Sequence, residues 1–442
     1  MEIKLSDHFT YRRLFRFVIP SIIMMIFTSI YGVVDGFFVS NFAGKTEFTA
    51  VNLIMPFPML LAAFGFMMGT GGSALVSMTL GQGKKKEANE MFSMIVKVTV
   101  IVGVIISILG ILFIEEIALL LGATENLLEP CVTYGRLLLI TLTPFMLQNL
   151  FQSFLVTAEK PTLGLAVTVI AGVTNMVLDY VLIGVLRWGI TGAALATGIS
   201  QVIGGVIPLI FFLKKNSSEL RIVPSKMDFR ALGKACFNGS SEMMTNISLS
   251  FISILYNLQL LKYVGENGVA AYGVIMYVNF IFISVFLGYA IGTAPIVGYN
   301  FGAKNQPEMK NVYKKSMVFN IVAGITMCII AVVLSGVLSG IFVGYDQELF
   351  AMTKRAFAIY SLGFIVTGVN IYGSAFFTAV GDGVLSAILS FLRILFFQAI
   401  AVLALPLFFE NDGVWMANVT AEVIALIITV WLLAKNKKTY GY

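Results

Sequence analysis

Twelve long apolar runs, separated by short charged or turn-forming stretches, occupy nearly the whole 442-residue chain. Each is long enough, at about 1.5 Å per residue, to cross a ~30 Å hydrocarbon layer as a helix. In the first half the pattern predicts helices over 14–41, 48–79, 91–114, 129–157, 163–186 and 190–213. In the second half it predicts 236–263, 268–299, 314–340, 352–379, 384–409 and 413–434. Between the halves, Lys214 to Lys234 carries Asn216-Ser217-Ser218, Pro224 and six basic residues, the composition of a linker. The expected organisation is a six-helix bundle over 1–214, a linker over 215–234 and a second bundle over 235–442.

Two runs are interrupted by a carboxylate. Asp35 lies in Tyr31-Gly32-Val33-Val34-Asp35-Gly36-Phe37-Phe38, inside an apolar stretch from Phe17 to Ala43. Asp179 closes Asn175-Met176-Val177-Leu178-Asp179 in the stretch Leu163–Leu186. A charge at the bilayer centre costs roughly 2.5–3.5 kcal/mol on insertion scales, so each Asp is a functional-site candidate. Four residues make just over one helical turn, which puts Tyr31 on the face of Asp35 and Asn175 on that of Asp179. The two carboxylates are expected to face one another across a polar cavity.

Composition confirms the membrane class. The chain is 58% hydrophobic and 12% charged, with mean hydropathy +0.92, against about 25% charged in soluble domains. Its net charge of +6 does not point to nucleic acid, because the basic residues recur between apolar runs on alternate sides. Cys131, Cys236 and Cys328 lie far apart without metal-ligand spacing and read as packed free thiols. The one histidine, His8, precedes the first run, which excludes a His-based site inside the membrane. Arg12-Arg13 resembles a twin-arginine signal, but the following run is too long for one and lacks a cleavage site. The sequence carries no ATP-binding motif and implies no cofactor.

Lys and Arg set the sidedness. The N-terminus, Lys84-Lys85-Lys86, Lys160, the linker, Lys304 to Lys315 and the C-terminal tail place 21 basic residues on one side. The other side holds Lys45, Arg187, Lys262, Lys354 and Arg355 among acids such as Glu115, Glu116 and Glu410. Both termini are therefore expected in the cytoplasm of a multi-pass plasma-membrane protein.

The halves also repeat. A shift of 221 residues sets Gly44 on Gly265, Ala50 on Ala271, Met55 on Met276 and Gly71 on Gly292. It also sets Val76 on Val297, Gly81 on Gly302, Gly192 on Gly413 and Ala196 on Ala417. Six helices per half make the repeats parallel, and transporters place substrate between such halves.

Several stretches carry a family resemblance. They are the helix around Asp35, the Gly81-Gln82-Gly83-Lys84 turn, Asn175…Leu178-Asp179-Tyr180 and Gly189…Gly192-Ala193-Ala194. Asn238-Gly239-Ser240-Ser241-Glu242 and Gly413-Val414-Trp415 belong with them. Together they resemble the multidrug and toxic compound extrusion (MATE) family, in its MepA-like bacterial branch, over nearly the whole chain. The resemblance implies an all-α fold of twelve transmembrane helices in two pseudo-symmetric six-helix bundles. It implies export of organic, mostly cationic drugs in exchange for H⁺ or Na⁺, by a monomer in lipid with no nucleic-acid partner. Gln152 and Thr197 would join Asp35, Asp179, Asn175 and Tyr31 at a cation or proton site, with Na⁺ held at the two Asp.

In the second half, Tyr256 stands where the shift would put Asp35, so the acid there is Glu242, followed one turn later by Asn246. These three, with Met55, Phe151 and Met276, are candidates for the substrate cavity, and Arg393 and Glu422 for a buried ion pair. Two other functions fit less well. A lipid-linked precursor flippase of the same superfamily would gather Arg and Lys in its cavity, whereas the intramembrane charges here are mainly acidic. An intramembrane aspartyl protease would need Asp382 level with Asp179, yet Asp382 falls in a turn. The sidedness is tested by single cysteines: one replacing Lys85 is labelled only from the cytoplasm, one replacing Glu116 only from outside. The opposite pattern would invert the topology.

Overall fold

The computed structural model describes residues 3–344 and 346–442 and is helical throughout, with no strand among the described residues. Its spans are α1 (Tyr11–Ala43), α2 (Thr46–Gly81), α3 (Lys85–Leu112), α4 (Glu125–Ile140 with Leu142–Thr157), α5 (Pro161–Val185) and α6 (Gly189–Leu213). The second half supplies α7 (Phe229–Tyr263), α8 (Glu266–Gly302), α9 (Gln306–Gly340), α10 (Gln347–Ser361 with Phe364–Ala379), α11 (Gly383–Ala404) and α12 (Pro406–Tyr440).

Two spans expected to be continuous are bent, α4 by 55° and α10 by 47°. In α4 the cause is local. Pro144 has no N–H for the carbonyl of Ile140, and the helix yields there. The shift of 221 puts the α4 break at Thr141 on Leu362, inside the α10 break, so the bend belongs to the repeat. Turn glycines repeat too: Gly44 and Gly265 both have positive φ, 119° and 86°.

Helix α7 starts inside the expected linker, because Asp228 accepts the N–H groups of Arg230 and Ala231 at 2.9 and 3.0 Å. The linker is pinned to α3. Asn89 Oδ1 accepts from Arg221 N at 2.6 Å and Ser93 Oγ from Val223 N at 2.8 Å.

The six helices of each half pack together, and the halves meet along α1 with α8 and α2 with α7. Glycines let these backbones touch. A Cβ on Gly239 would lie 1.9 Å from the Met67 carbonyl oxygen, and one on Gly71 2.1 Å from that of Ala235. Gly81 packs on the Tyr299 carbonyl and Gly302 on that of Met78. The shift that carries Gly81 to Gly302 also carries Met78 to Tyr299, so the two contacts are images of each other. That exchange is the mark of a pseudo-two-fold axis between helix pairs. All these close approaches lie in the half of the molecule nearer the termini and the basic turns, called here the basic end.

The chain before α1 completes the seal at that end. Leu5 and Phe9 are buried in a cluster that joins Leu14 and Phe17 of α1 to Tyr289, Ile296 and Met309 of the second half. Phe9 N–H donates to Glu308 Oε1 at 2.8 Å, and Leu5 N–H to Glu159 Oε1 at 2.7 Å. Burial pushes the Glu159 carboxyl up, and the Leu5 N–H pulls it part of the way back.

The seam makes a prediction. Gly239→Val inserts atoms where none fit, an over-packing of about 1–3 kcal/mol. A cysteine replacing buried Ser77, in a chain without its three native thiols, should then react about tenfold faster with a reagent applied at the basic end. Unchanged reactivity would show that the glycine contacts do not close this end.

Candidate functional site

The N-half site starts from a glycine. A Cβ on Gly172 of α5 would meet the rings of Phe27 and Tyr31 at 2.5 and 2.9 Å, so α1 lies directly on α5 there. One to two turns further from the basic end, Asp35 and Asp179 face each other closely enough to interact directly. Asn175 joins them from α5, and Thr197 from α6 donates to Asp35 Oδ1 at a long 3.5 Å. Asp35 is half-buried, whereas Asp179 is wholly buried with neither carboxyl oxygen hydrogen-bonded. The buried Asn175 Oδ1 is unpartnered as well. Among the described residues no basic side chain pairs with either carboxyl.

Both acids sit where helix geometry loosens. Underwound π turns run over Asp179–Val185 and, just beyond Asp35, over Val39–Ala43. Such turns recur at functional sites because they free backbone groups and re-aim side chains. A third, Phe391–Phe397, carries Arg393.

Of the expected ligands, Asn175, Tyr31 and Thr197 lie at the pair, and Gln152 does not. It sits nearer the basic end, on the wall of a pocket with Met24 and Thr168. The α4 glutamine that reaches the site is Gln148, one turn before it, which meets the Tyr31 hydroxyl. Tyr134, on the other arm of the α4 bend, meets Thr197. Gln148 was legible as a polar residue in an apolar run. Tyr134 was not, because its approach depends on the bend.

The second half gathers a different set. Arg393 Nε lies 3.6 Å from Glu422 Oε1, and Asn370 Nδ2 donates to Glu422 Oε2 at 2.7 Å. Half-buried Glu242 of α7 feels the same guanidinium. Asn246 donates to the backbone carbonyl of Glu242, leaving the carboxylate without it. Gln398 bridges the Tyr256 hydroxyl and Asn418 Oδ1 at 3.4 and 3.2 Å.

Several cavity candidates are placed elsewhere. Tyr256 is fully buried, stacked on Tyr272 within the second bundle. Phe151 is fully buried among Phe92, Phe154 and Phe212 in the first, and lines the same small pocket as Gln152 rather than a space between the bundles. Met55, at the break in α2, accepts from the Tyr134 hydroxyl, and Met276 packs on the second-half core. Asp382 caps α11 at the basic end and accepts from Tyr440, so it forms no dyad with Asp179.

With this geometry described, the relationship to known proteins can be placed. The MatE family model matches residues 20–181 and again residues 243–403. The chain belongs to the MatE family. The double match separates the halves as the repeat does. Similar family members include the multidrug export protein MepA of Staphylococcus saprophyticus, 25% identical over 96% of this chain and 94% of that protein. MepA of Staphylococcus aureus strain MSSA476 is 23% identical over the same shares. Among solved structures, the outward-facing conformation of a multidrug resistance MATE family transporter of the MOP superfamily superposes with a TM-score of 0.92. It covers 97% of this chain and 96% of its own at 22% identity, which establishes the shared fold.

The second-half cluster yields a prediction. Arg393→Met strands two carboxylates in the bundle and should cost ~3–5 kcal/mol, read as loss of thermal stability in detergent. Adding Glu422→Met should recover most of that loss. If the double variant is no more stable than the single, the pair does not hold this bundle's charge balance.

Proposed function

We propose that this MatE-family chain is a secondary active multidrug exporter, releasing organic, mostly cationic compounds in exchange for H⁺ or Na⁺ by alternating access. The observation that carries the reading is the Asp35–Asp179 pair, which faces itself in the first bundle with no cationic partner among the described residues. Two carboxylates at that spacing in an apolar bundle do not both stay charged without a proton or cation between them. The oxygens on offer, from the two Asp, Asn175 and Thr197, suit a proton or a small hard cation such as Na⁺.

The basic end is assigned to the cytoplasm of the cell membrane, with both termini there. The bundles are assigned to 1–214 and 235–442. With the seam closed at the basic end, we read this conformation as outward-facing. The names of the relatives, multidrug export proteins, agree in direction and substrate class. The protein is taken to act as a monomer in lipid without a cofactor.

Exchange requires that the ion and the drug favour different conformations, since a ligand shifts an equilibrium only by its differential affinity. The pair supplies that difference locally. With an ion bound the carboxyls draw together and pull α1 toward α5. Nothing lies within 4 Å of a Cβ at Gly32 or Gly36, so α1 has room to bend beside the site. Without the ion the carboxylates repel, admit water and present negative charge to an organic cation.

The test is efflux of a fluorescent organic cation into inside-out vesicles, driven in turn by a pH gradient and a Na⁺ gradient. Asp35→Asn and Asp179→Asn should insert normally and each lose roughly nine-tenths of gradient-driven transport, while the double variant is little worse than either. Near-normal efflux by correctly inserted single variants would remove the pair from the mechanism and make Glu242 the next acid to examine.

A further inference from the structure

Lys97 is the only charged residue of α3 after Glu90. The span is 28 residues, about 42 Å, so it exceeds a ~30 Å hydrocarbon layer by roughly 12 Å. Its charged first turns, Lys85 to Glu90, place that excess at the basic end. Lys97 then lies only about 6 Å inside the layer. A lysine leaning toward the start of its helix reaches the headgroups from there. It is exposed, and the exposed face continues away from the basic end through Ile101, Val104 and Ile108. The 221-residue shift sets Lys97 on Val318, so the repeat does not require a charge here.

Below Lys97 lies the linker. Asn89, Ser93 and Lys97 follow one another at intervals of about one helical turn, and the first two accept from the Arg221 and Val223 N–H groups. Other contacts fix the linker further. Leu220 is fully buried, Ile222 N–H donates to the Phe212 carbonyl at 2.9 Å, and Asp228 N–H meets Met94 Sδ at 3.2 Å. The chain then enters α7, whose Phe229, Arg230, Lys234 and Phe237 are exposed on one face. Phe229 is 75% exposed and Met227 41%, large apolar side chains left uncovered among bases.

Among the described residues no acid forms an ion pair with Lys97, Lys226 or Arg230. Their neighbour Asp228 caps α7 by accepting from the Arg230 and Ala231 N–H groups, and Glu219 pairs with Lys85. The step formed by α3, the linker and the start of α7 therefore offers positive charge below and uncovered apolar side chains above.

An occupant has to answer both parts of that surface. A nucleic acid or an acidic protein would meet the bases and leave Ile101 to Ile108 unused. A zwitterionic lipid would bring its own ammonium against them. We propose that this step binds an anionic phospholipid, its phosphate held by Lys97, Lys226 and Arg230 and an acyl chain lying along Ile101, Val104 and Ile108. Phe229 and Met227 then enter the boundary between headgroups and chains, as the apolar side chains of interfacial helices do. A lipid there touches α3 of one half and α7 of the other, at the join the linker makes. The inference rests on the membrane spans and not on the carboxyl pair, so either can fail without the other.

The test places a fluorophore on a single cysteine replacing Ile101, in the full chain without its three native thiols. The protein is reconstituted in phosphatidylcholine vesicles carrying a small fraction of brominated phosphatidylglycerol or brominated phosphatidylcholine. Half-quenching should need about tenfold less of the anionic lipid, and Lys97→Met and Lys226→Gln should each remove about fivefold of that preference. Both residues are exposed, and unchanged thermal unfolding checks that the variants fold. The control label replaces Val322, the exposed image of Ile101 under the 221 shift, and should be quenched alike by both lipids. Equal quenching by the two lipids at residue 101 would overturn the proposal. A preference that survives both variants, or that appears equally at residue 322, would overturn it too, as diffuse attraction to the basic end. Soluble glycerol 3-phosphate should leave the quenching in place. Relief by it would show that phosphate from solution fills the site and would overturn the lipid as its ligand.

Discussion

Two carboxyl groups held together in an apolar bundle, with no cationic side chain among the described residues to answer them, are the constraint around which the first half is built. Gly172 lets α1 lie on α5, and that contact brings Asp35 opposite Asp179. The π turn beginning at Asp179 gives its side chain a direction that a regular helix would not, and the open space at Gly32 and Gly36 leaves α1 free to respond. A buried pair of like charges is a poor way to stabilise a bundle, so its presence is best understood through an ion that comes and goes.

The second half uses the same framework with different contents. The 221-residue shift sets Asp35 on Tyr256, Thr197 on Asn418 and Gln201 on Glu422. Tyr256 and Asn418 still come together there, bridged by Gln398. The acid has moved to the position of Gln201, and Arg393 stands beside it. One half therefore carries its own cation in a covalently attached guanidinium, and the other leaves that place to solution. A permanent partner balances the second bundle's charge from within, whereas the first bundle's pair has no such partner among the described residues, and the proposed ion coupling rests on that difference.

Much of this was legible in the sequence because a bilayer imposes simple rules. Length and hydropathy identified the twelve spans, and the improbability of Asp35 and Asp179 in apolar runs singled them out. The 221-residue shift anticipated two equivalent parallel halves, and the structure adds that they meet as α1 on α8 and α2 on α7. What escaped lay in the packing. Lipid is as apolar as a bundle core, so composition could not tell a cavity wall from an interior, and Tyr256 proved fully buried. The bend in α4 was encoded in Pro144, but that of α10 has only Gly363 to announce it. Gln148 and Gln152 sit one turn apart on the same face, and only the depth of the packed helices shows which one reaches Tyr31.

The paired glycine contacts of the seam also bear on ancestry. If the halves descend from one duplicated segment, the forebear of Gly81 and Gly302 was a single residue, as was that of Met78 and Tyr299. In an early homodimer one substitution there would have struck the seam twice. Fusion into a single chain halved that exposure and let Met78 and Tyr299 part company, yet glycine had no such freedom, because both copies still face a backbone carbonyl. The helix interiors away from the seam were under no such bond. There one copy could keep two acids while the other acquired an arginine, and two halves built on one framework came to carry different charges.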